Sequence, residues 1–160
     1  MSAKKTNRLQ EAFLFAGKKH EGQYRKGGLP YITHPLAVAE MVKEWGYDED
    51  VQIAALFHDL LEDTDATEND IVRLGGTEVL KVVKLLTKTK DYVMAEYIAA
   101  IKSDPIAKVI KAADRLHNLR CAVTADETFR RKYIQESREW YLDFSPEIER
   151  EVQELEKTIK

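Results

Sequence analysis

Cysteine is almost absent from this sequence, because Cys121 is the only one among 160 residues. A single thiol excludes a disulfide within the chain and fits a reducing compartment, so a cytoplasmic location is expected. Long apolar runs are missing too, and no stretch approaches the roughly 20 residues that a membrane-spanning helix needs. The fold must therefore be held by its own core.

Excess positive charge is also missing, since 25 lysines and arginines stand against 28 aspartates and glutamates, for a net charge of −3. Such a balance offers no overall attraction to nucleic acid or to an anionic membrane. Apolar residues make up 44% and charged residues 33%, which is typical of a folded globular domain. A phosphate-bearing small molecule would therefore have to meet a local basic patch or a metal ion.

The sequence also lacks the alternation of apolar and polar residues that is typical of β-strands. The pattern of helix starts and stops predicts an all-α fold of about nine helices. The predicted helices span about 6–21, 35–45, 48–63, 67–75, 77–87, 91–102, 105–124, 127–142 and 146–159. We expect one domain over residues 1–160, with a core at about 6–124 and the C-terminal helices, about 127–159, packed on it. The last helix could instead pack on a second copy, so the oligomeric state is left open.

Residues 55–64, ALFHDLLEDT, combine the apolar density of a core helix with four titratable side chains. On an ideal helix His58, Asp59, Glu62 and Asp63 share one face, and the apolar residues occupy the other. Burying ionised groups without partners costs several kcal/mol each, so these side chains must be solvated, paired or bound to a cation. An isolated His-Asp pair is most often a solvated helix end.

Two further positions favour a bound cation over that simpler explanation. His34 lies at a helix start just after a loop, and Asp114 lies inside the long helix IAKVIKAADRLHNLR. Aspartate is a poor helix former and is seldom buried without a partner. Two imidazoles and two carboxylates suit one divalent ion of manganese, iron, zinc, cobalt or nickel, and disfavour calcium or copper(I). The candidate ligands are His34, His58, Asp59 and Asp114.

Neighbouring residues provide candidates for acid–base chemistry. Four protein ligands on an ion that prefers six leave room for water and a substrate oxygen. Glu62, one turn beyond His58, can accept a proton from the attacking water, and Asp63 can orient that water or the leaving group. Asn118 projects from the same helix face as Asp114.

The order His34, His58-Asp59, Asp114 resembles the H…HD…D signature of the HD-domain metal-dependent phosphohydrolases. The longer blocks AGKKHEGQYRKGGLPYITHP, HPLAVAEMV, AALFHDLLEDT and KAADRLHNL resemble the hydrolase domain of RelA/SpoT-type alarmone enzymes and the small stand-alone alarmone hydrolases. Together these blocks span roughly residues 16–120, which is most of the chain.

The resemblance implies an HD-domain helical bundle and a 3′-pyrophosphohydrolase for guanosine tetra- and pentaphosphate, with manganese preferred. It implies the same four metal ligands: His34, His58, Asp59 and Asp114. It implies a pair that activates the water: Glu62 and Asp63. It implies three contacts with the nucleotide: Arg25, Lys26 and Asn118.

Two other functions stay open from the sequence. The first is an HD phosphohydrolase for another nucleotide, such as a nucleoside mono- or triphosphate or an adenine-containing relative. The second is a non-catalytic nucleotide-binding or scaffold protein that kept the fold. The intact ligand set argues against the second, because folding alone does not require all of these residues.

Four other residues are expected to have structural or surface roles. His20 lies at a lysine-rich helix end, where the helix dipole favours a cation. His117 points away from Asp114 and is expected either to have a structural part or to support the ligands, for example by holding a ligand carboxylate. Tyr31 is expected in the core, and Lys88 is expected to be solvated.

Overall fold

The chain is described here by a computed structural model that covers residues 7–159. Within this range the only β feature is an isolated antiparallel bridge between Tyr24 and Pro30, so the prediction of an all-α fold is confirmed. None of the described helices has the length and apolar character needed to cross a membrane. The predicted start of the first helix at residue 6 and the ends of the predicted domain, 1–6 and 160, lie outside the described residues.

The described residues form nine α-helices of at least two turns, one single-turn helix and two short 3-10 segments. The α-helices are α1 (Asn7–Lys19), α2 (Thr33–Glu44), α3 (Glu49–Phe57), α4 (Leu60–Asp63), α5 (Glu68–Gly75), α6 (Thr77–Leu86), α7 (Met94–Lys102), α8 (Pro105–Cys121), α9 (Glu127–Trp140) and α10 (Pro146–Glu156). The 3-10 segments are Ala122–Thr124 and Leu142–Phe144.

Side-chain caps explain where several helices begin. The Asp48 carboxylate accepts a hydrogen bond from the Val51 backbone N–H at 3.2 Å and so caps α3. Thr67 and Asp70 form a reciprocal capping box at the start of α5. The Ser145 hydroxyl caps α10. The predicted helix starts at about 48, 67 and 146 agree with these caps.

The predicted helix over 48–63 is wrong in one respect, because it is interrupted at His58 and Asp59. Helix α3 ends at Phe57, and the single turn α4 begins at Leu60. The His58 ring donates from Nδ1 to the Ala55 carbonyl at 2.6 Å, and the His58 backbone N–H reaches the same carbonyl at 3.4 Å. An i to i+3 bond of this kind tightens the last turn of a helix and ends it.

Helix α8 is the central element of the described fold. It packs against α2, α3, α6, α7 and α10, so a side chain near its middle is surrounded by helices. The C-terminal helix α10 packs on it through the buried side chains of Ile148, Val152 and Leu155. This apolar stripe has the helical spacing that the sequence showed.

A stacked arginine also ties the C-terminal segment to α8. The Arg115 guanidinium lies 4.1 Å from the centre of the Tyr133 ring and 4.0 Å from that of Tyr141. It also donates to the Glu136 carboxylate at 2.6 Å. A planar cation between two aromatic faces is stabilised by the quadrupole of each ring. Arg115 therefore anchors α9 and the turn after it to α8.

That the chain forms one domain stays a prediction, which Ile148→Ala tests. The side chain is 0% exposed, and its truncation should lower the free energy of unfolding by about 2–5 kcal/mol, because a cavity is left behind. Urea unfolding followed by circular dichroism should remain a single transition with a lower midpoint.

Leu14→Ala is the matched control, since that side chain is 60% exposed and should change the free energy by less than about 0.5 kcal/mol. A separate early transition in Ile148→Ala, with the remaining helices unfolding at the unaltered midpoint, would contradict the single domain.

Candidate metal centre and adjoining pocket

Three segments bring the four predicted metal ligands together. One comes from α2, two from the break between α3 and α4, and one from α8: His34, His58, Asp59 and Asp114. His34 Nε2 lies 2.7 Å from Asp114 Oδ1. His58 Nε2 lies 3.1 Å from Asp59 Oδ2 and 3.6 Å from Asp114 Oδ1. Both imidazoles are buried, being 1% and 3% exposed.

The break at residues 58 and 59 is what lets two consecutive side chains reach the same point. On an uninterrupted helix, neighbouring residues diverge by about 100°. Because α3 ends at Phe57, His58 and Asp59 both turn inward. One ligand atom each from His34, His58 and Asp59 all lie within 4.8 Å of one another.

The His58 ring shows that a cation fits this cluster. A carbonyl oxygen can only accept, so the bond to Ala55 holds a proton on Nδ1 and leaves Nε2 facing the carboxylates. This buried Nε2 has no hydrogen-bond partner of acceptable geometry. A buried polar atom without a partner costs free energy, and a cation shared with the carboxylates would remove that cost.

The charges of the cluster lead to the same conclusion. Burial opposes ionisation of Asp114, but the Lys111 ammonium at 3.1 Å, together with the two imidazoles, holds its pKa well below the usual value. Burial likewise opposes charge on Asp59, and His58 lowers its pKa to about 2. Despite its own burial, the His58 pKa is raised well above normal by Asp59 and Asp114. Positive charge is therefore strongly stabilised at this point.

Two contacts that support the carboxylates of the cluster were not predicted from the sequence. The Tyr31 hydroxyl, expected only to pack in the core, donates to Asp59 Oδ2 at 2.6 Å, and burial raises its pKa so that the proton stays on. Lys111 pairs with Asp114 Oδ2. For Lys111 the available signal was helical spacing, because it lies three residues before Asp114 on α8.

Asn118 connects the cluster to a nearby loop. Its side-chain amide donates to Asp114 Oδ1 at 3.2 Å, and its own Oδ1 accepts from the Arg25 guanidinium at 2.9 Å. The loop closes through a bond from the Arg25 backbone N–H to the Leu29 carbonyl at 2.8 Å. Gly28 has a φ of 95°, a backbone conformation that favours glycine, so the tight turn depends on it.

An open pocket of about 580 Å³ adjoins the cluster, a size suited to a small organic ligand. The three residues predicted to contact a nucleotide all line it: Arg25, Lys26 and Asn118. Apolar and small residues complete the wall, including Cys121, Thr124 and Phe129. The Lys26 ammonium lies 4.6 Å from the centre of the Phe129 ring. Tyr31 also lines the pocket, so two of its wall residues bond to cluster carboxylates.

The two predicted catalytic carboxylates lie on α4 and are exposed to solvent. Glu62 is held by the Lys88 backbone N–H, which donates to its Oε1 at 2.7 Å. The loop around Lys88 therefore orients Glu62, which the sequence did not indicate. Although the Asp63 side chain is exposed, nearby protein atoms partly desolvate its carboxyl group, and together with Asp59 and Glu62 this raises its pKa to about 6.

His117 contacts a proposed ligand, as a structural part would, but that ligand is an imidazole rather than a carboxylate: its Nδ1 lies 2.8 Å from Nδ1 of His34, and burial, His34 and Arg25 lower its pKa to about 4. The expectation for His20 is wrong, because it is not a cation at a helix end. It is 2% exposed, its ring packs on Tyr31, and burial lowers its pKa. The cause is that α1 ends at Lys19, and the next residue turns into the core.

The fold and the cluster together define a class: an all-α domain with histidines and aspartates from several helices gathered at one metal-binding point. The chain belongs to the HD-domain family, because the family model described as HD domain matches residues 12–97, more than half of the chain. An HD domain implies a divalent metal, and the cluster suits one.

Comparison with individual proteins confirms the resemblance to the RelA/SpoT group. The bifunctional (p)ppGpp synthase/hydrolase SpoT of Escherichia coli K12 is 40% identical over 145 residues, covering 84% of this chain and 21% of SpoT. The guanosine-3′,5′-bis(diphosphate) 3′-pyrophosphohydrolase of Aquifex aeolicus is 40% identical over 141 residues, which cover 83% of this chain and 20% of that protein. The chain thus spans about a fifth of the length of these relatives.

Solved structures resemble the chain over most of its length. One, described as a metazoan ortholog of SpoT that hydrolyzes ppGpp, has a TM-score of 0.75 and 30% identity. The match covers 92% of this chain and 93% of that one. A protein of Listeria monocytogenes EGD-e has a TM-score of 0.62 and 27% identity. The match covers 81% of this chain and 98% of that one.

The buried His20 ring predicts a pH dependence of stability. Its folded pKa is lowered, so the unfolded chain, with a pKa of about 6.5, binds the proton first as the pH falls. The stability from the neutral ring is present above about pH 6.5 and is lost as the pH falls through the folded pKa. In metal-free protein, His20→Gln should therefore lose less stability than the natural chain between about pH 7.5 and about pH 5.5.

Urea unfolding at the two pH values measures this difference. Lys18→Gln, two residues earlier in the chain, is the control, because it introduces the same glutamine at an exposed position. Equal losses in His20→Gln and the natural chain would show that His20 is not buried as a neutral ring.

Proposed function

We propose that this protein is a metal-dependent 3′-pyrophosphohydrolase of guanosine tetra- and pentaphosphate. The observation that carries the proposal is the direct connection between an acid–imidazole cluster and a basic pocket, through Asn118 and Tyr31. Both the curated relatives and the metazoan structure are named for activity on this nucleotide. A cytoplasmic location agrees with the single cysteine and stays a prediction.

The proposed ligands are His34, His58, Asp59 and Asp114, and manganese is the proposed ion. When bound, the ion would lower the pKa of a water molecule and offset charge on phosphoryl oxygens. Tyr31 holds the Asp59 carboxylate and Lys111 holds that of Asp114, so both acceptors keep their orientation. Imidazole nitrogen and carboxylate oxygen together suit manganese better than calcium.

The proposed chemistry is addition of a water oxygen to the phosphorus that carries O3′ of the ribose. The bond between that phosphorus and O3′ breaks, pyrophosphate leaves with the water oxygen, and O3′ takes up a proton. Glu62, oriented by the Lys88 amide, is the proposed acceptor of the water proton. Asp63 is the proposed partner that orients the water or the leaving group.

Substrate binding is proposed to use the pocket wall. The Arg25 guanidinium is positioned by Asn118 and offers a flat cationic surface on which a purine can stack. The Lys26 ammonium lies over Phe129 at the same wall and provides a positive charge for phosphate. The base would then occupy the pocket, and the 3′-diphosphate would lie towards the cluster.

A panel of nucleotides tests the substrate. The purified chain, stripped of metal and supplied with manganese, should release pyrophosphate from guanosine tetraphosphate and leave GTP and ATP largely intact. Orthophosphate or pyrophosphate from ordinary nucleotides alone would support an HD phosphohydrolase for another nucleotide. Binding of nucleotide without turnover, at full metal occupancy, would support a non-catalytic protein.

Glu62→Gln tests the acid–base role. The variant should retain the ion, because Glu62 is not a proposed ligand, and should turn over about 10²–10⁴-fold more slowly. His58→Ala should instead lose ion and activity together. Metal content and initial rate are measured on the same samples.

Glu40→Gln is the matched control, since Glu40 is an exposed glutamate on α2 away from the cluster, and it should keep the full rate. If Glu62→Gln also kept the full rate with metal bound, the proposed proton transfer to Glu62 would have to be abandoned.

A further inference from the structure

The loop that carries Arg25 and Lys26 is held by two different helices. Arg25 reaches α8, where its guanidinium donates to Asn118 Oδ1 at 2.9 Å. Lys26 reaches α9, where its ammonium lies 4.6 Å from the centre of the Phe129 ring. Among residues 7–159, no carboxylate forms an ion pair with Lys26, whose side chain is exposed. Within the described structure, the Phe129 ring is therefore the group that holds this ammonium.

The Phe129 ring belongs to a stack of side chains that runs from the pocket wall into the core. It packs nearly parallel to the Tyr133 ring, with 5.3 Å between ring centres and 17° between ring planes. Tyr133 in turn lies 4.1 Å from the Arg115 guanidinium, which is 4% exposed. Both aromatic rings line the pocket. A ring supported in this way presents its face at a defined place.

An aromatic face holds a cation without neutralising it. The ring quadrupole attracts an ammonium group, although the ring has no net charge. Lys19 provides a contrast, because its ammonium lies 5.6 Å from the centre of the Phe15 ring but is also paired with the Asp65 carboxylate at 2.9 Å. That carboxylate offsets the charge of Lys19, whereas Phe129 leaves the charge of Lys26 available to a phosphate group.

We propose that Phe129 is a positioning residue, which holds the Lys26 ammonium at the pocket wall before the nucleotide binds. Lys26 then meets phosphate with its charge intact and with little further loss of side-chain freedom. Phe129 acts through Lys26 and does not touch the reacting atoms. This inference rests on the proposed function through the role of Lys26 in binding the nucleotide.

The position of Lys26 can be observed without any nucleotide. Protons above the face of an aromatic ring resonate at higher field, so the ε-methylene protons of Lys26 should lie upfield of those of Lys18, an exposed lysine. Phe129→Leu removes the ring and should abolish this shift, and Phe129→Tyr should retain it. Lys26 and Lys18 protons at the same field in the natural chain would overturn the proposal.

Nucleotide affinity measures what this position contributes to binding. Calorimetry with guanosine tetraphosphate on the metal-free chain reports binding without turnover, because the proposed hydrolysis needs the ion. Phe129→Leu should weaken binding by about 3–10-fold, which is the size of a cation–π contact, and Phe129→Tyr should stay within about twofold. Phe15→Leu is the matched control, because Phe15 also lies near a lysine but outside the pocket wall, and it should bind like the natural chain. Equal affinity of Phe129→Leu and the natural chain would refute the positioning role.

A double-mutant cycle shows whether Phe129 acts through Lys26. Lys26→Met removes the charge and keeps a long side chain, so adding Phe129→Leu to it should change the affinity by less than about twofold. An equal loss from Phe129→Leu in both backgrounds would mean that the ring contacts the nucleotide itself or only supports the fold. Either case would contradict the proposal.

Failure of this inference can be distinguished from failure of the proposed substrate. If the natural chain binds another nucleotide of the panel instead of guanosine tetraphosphate, the substrate is refuted, and the same cycle with that nucleotide decides the role of Phe129. Turnover of guanosine tetraphosphate, combined with equal affinities of Phe129→Leu and the natural chain, supports the substrate and refutes the role. Absence of binding to every nucleotide of the panel would overturn both.

Discussion

The burial of one carboxylate organises this structure. Asp114 lies inside α8 in the middle of the described fold, and an ionised group there must be surrounded by partners. They come from several directions: His34 on α2, His58 at the end of α3, Lys111 one turn earlier on α8, and Asn118 one turn later. The need to pair this charge brings distant segments to one point, where a cation can be bound.

Helix termination then decides which side chains reach that point. The bond from His58 to the Ala55 carbonyl ends α3 and at the same time orients the ring, so one interaction shapes both backbone and ligand. Asp59 follows in the break, where it meets the Tyr31 hydroxyl. A straight helix would have pointed Asp59 about 100° away. At the break between α3 and α4, the two adjacent side chains of the His-Asp dipeptide lie within 3.1 Å of each other.

Sequence reasoning predicted the helices and the residues that the fold brings together in the cluster, and it failed at other contacts between distant segments. Caps such as Asp48 and Thr67 are local, so their helix starts follow from a few neighbouring residues. The break after Phe57 was missed; it coincides with a hydrogen bond from the His58 side chain to the Ala55 carbonyl, which helix propensity does not predict. His20 was misjudged for a related reason: the charge state of an imidazole depends on its burial and partners, which only the folded chain defines.

The pocket and the cluster form one unit because their walls share residues. Asn118 bonds to Arg25 in the pocket and to Asp114 in the cluster, and Tyr31 lines the first while holding Asp59 in the second. A chain of net charge −3 repels a polyphosphate at long range, so attraction must be local. Lysine and arginine at the pocket, with a divalent ion at the carboxylates, would place positive charge at both ends of a bound nucleotide. Asn118 connects the two regions, since it accepts a hydrogen bond from Arg25 in the pocket and donates one to Asp114 in the cluster.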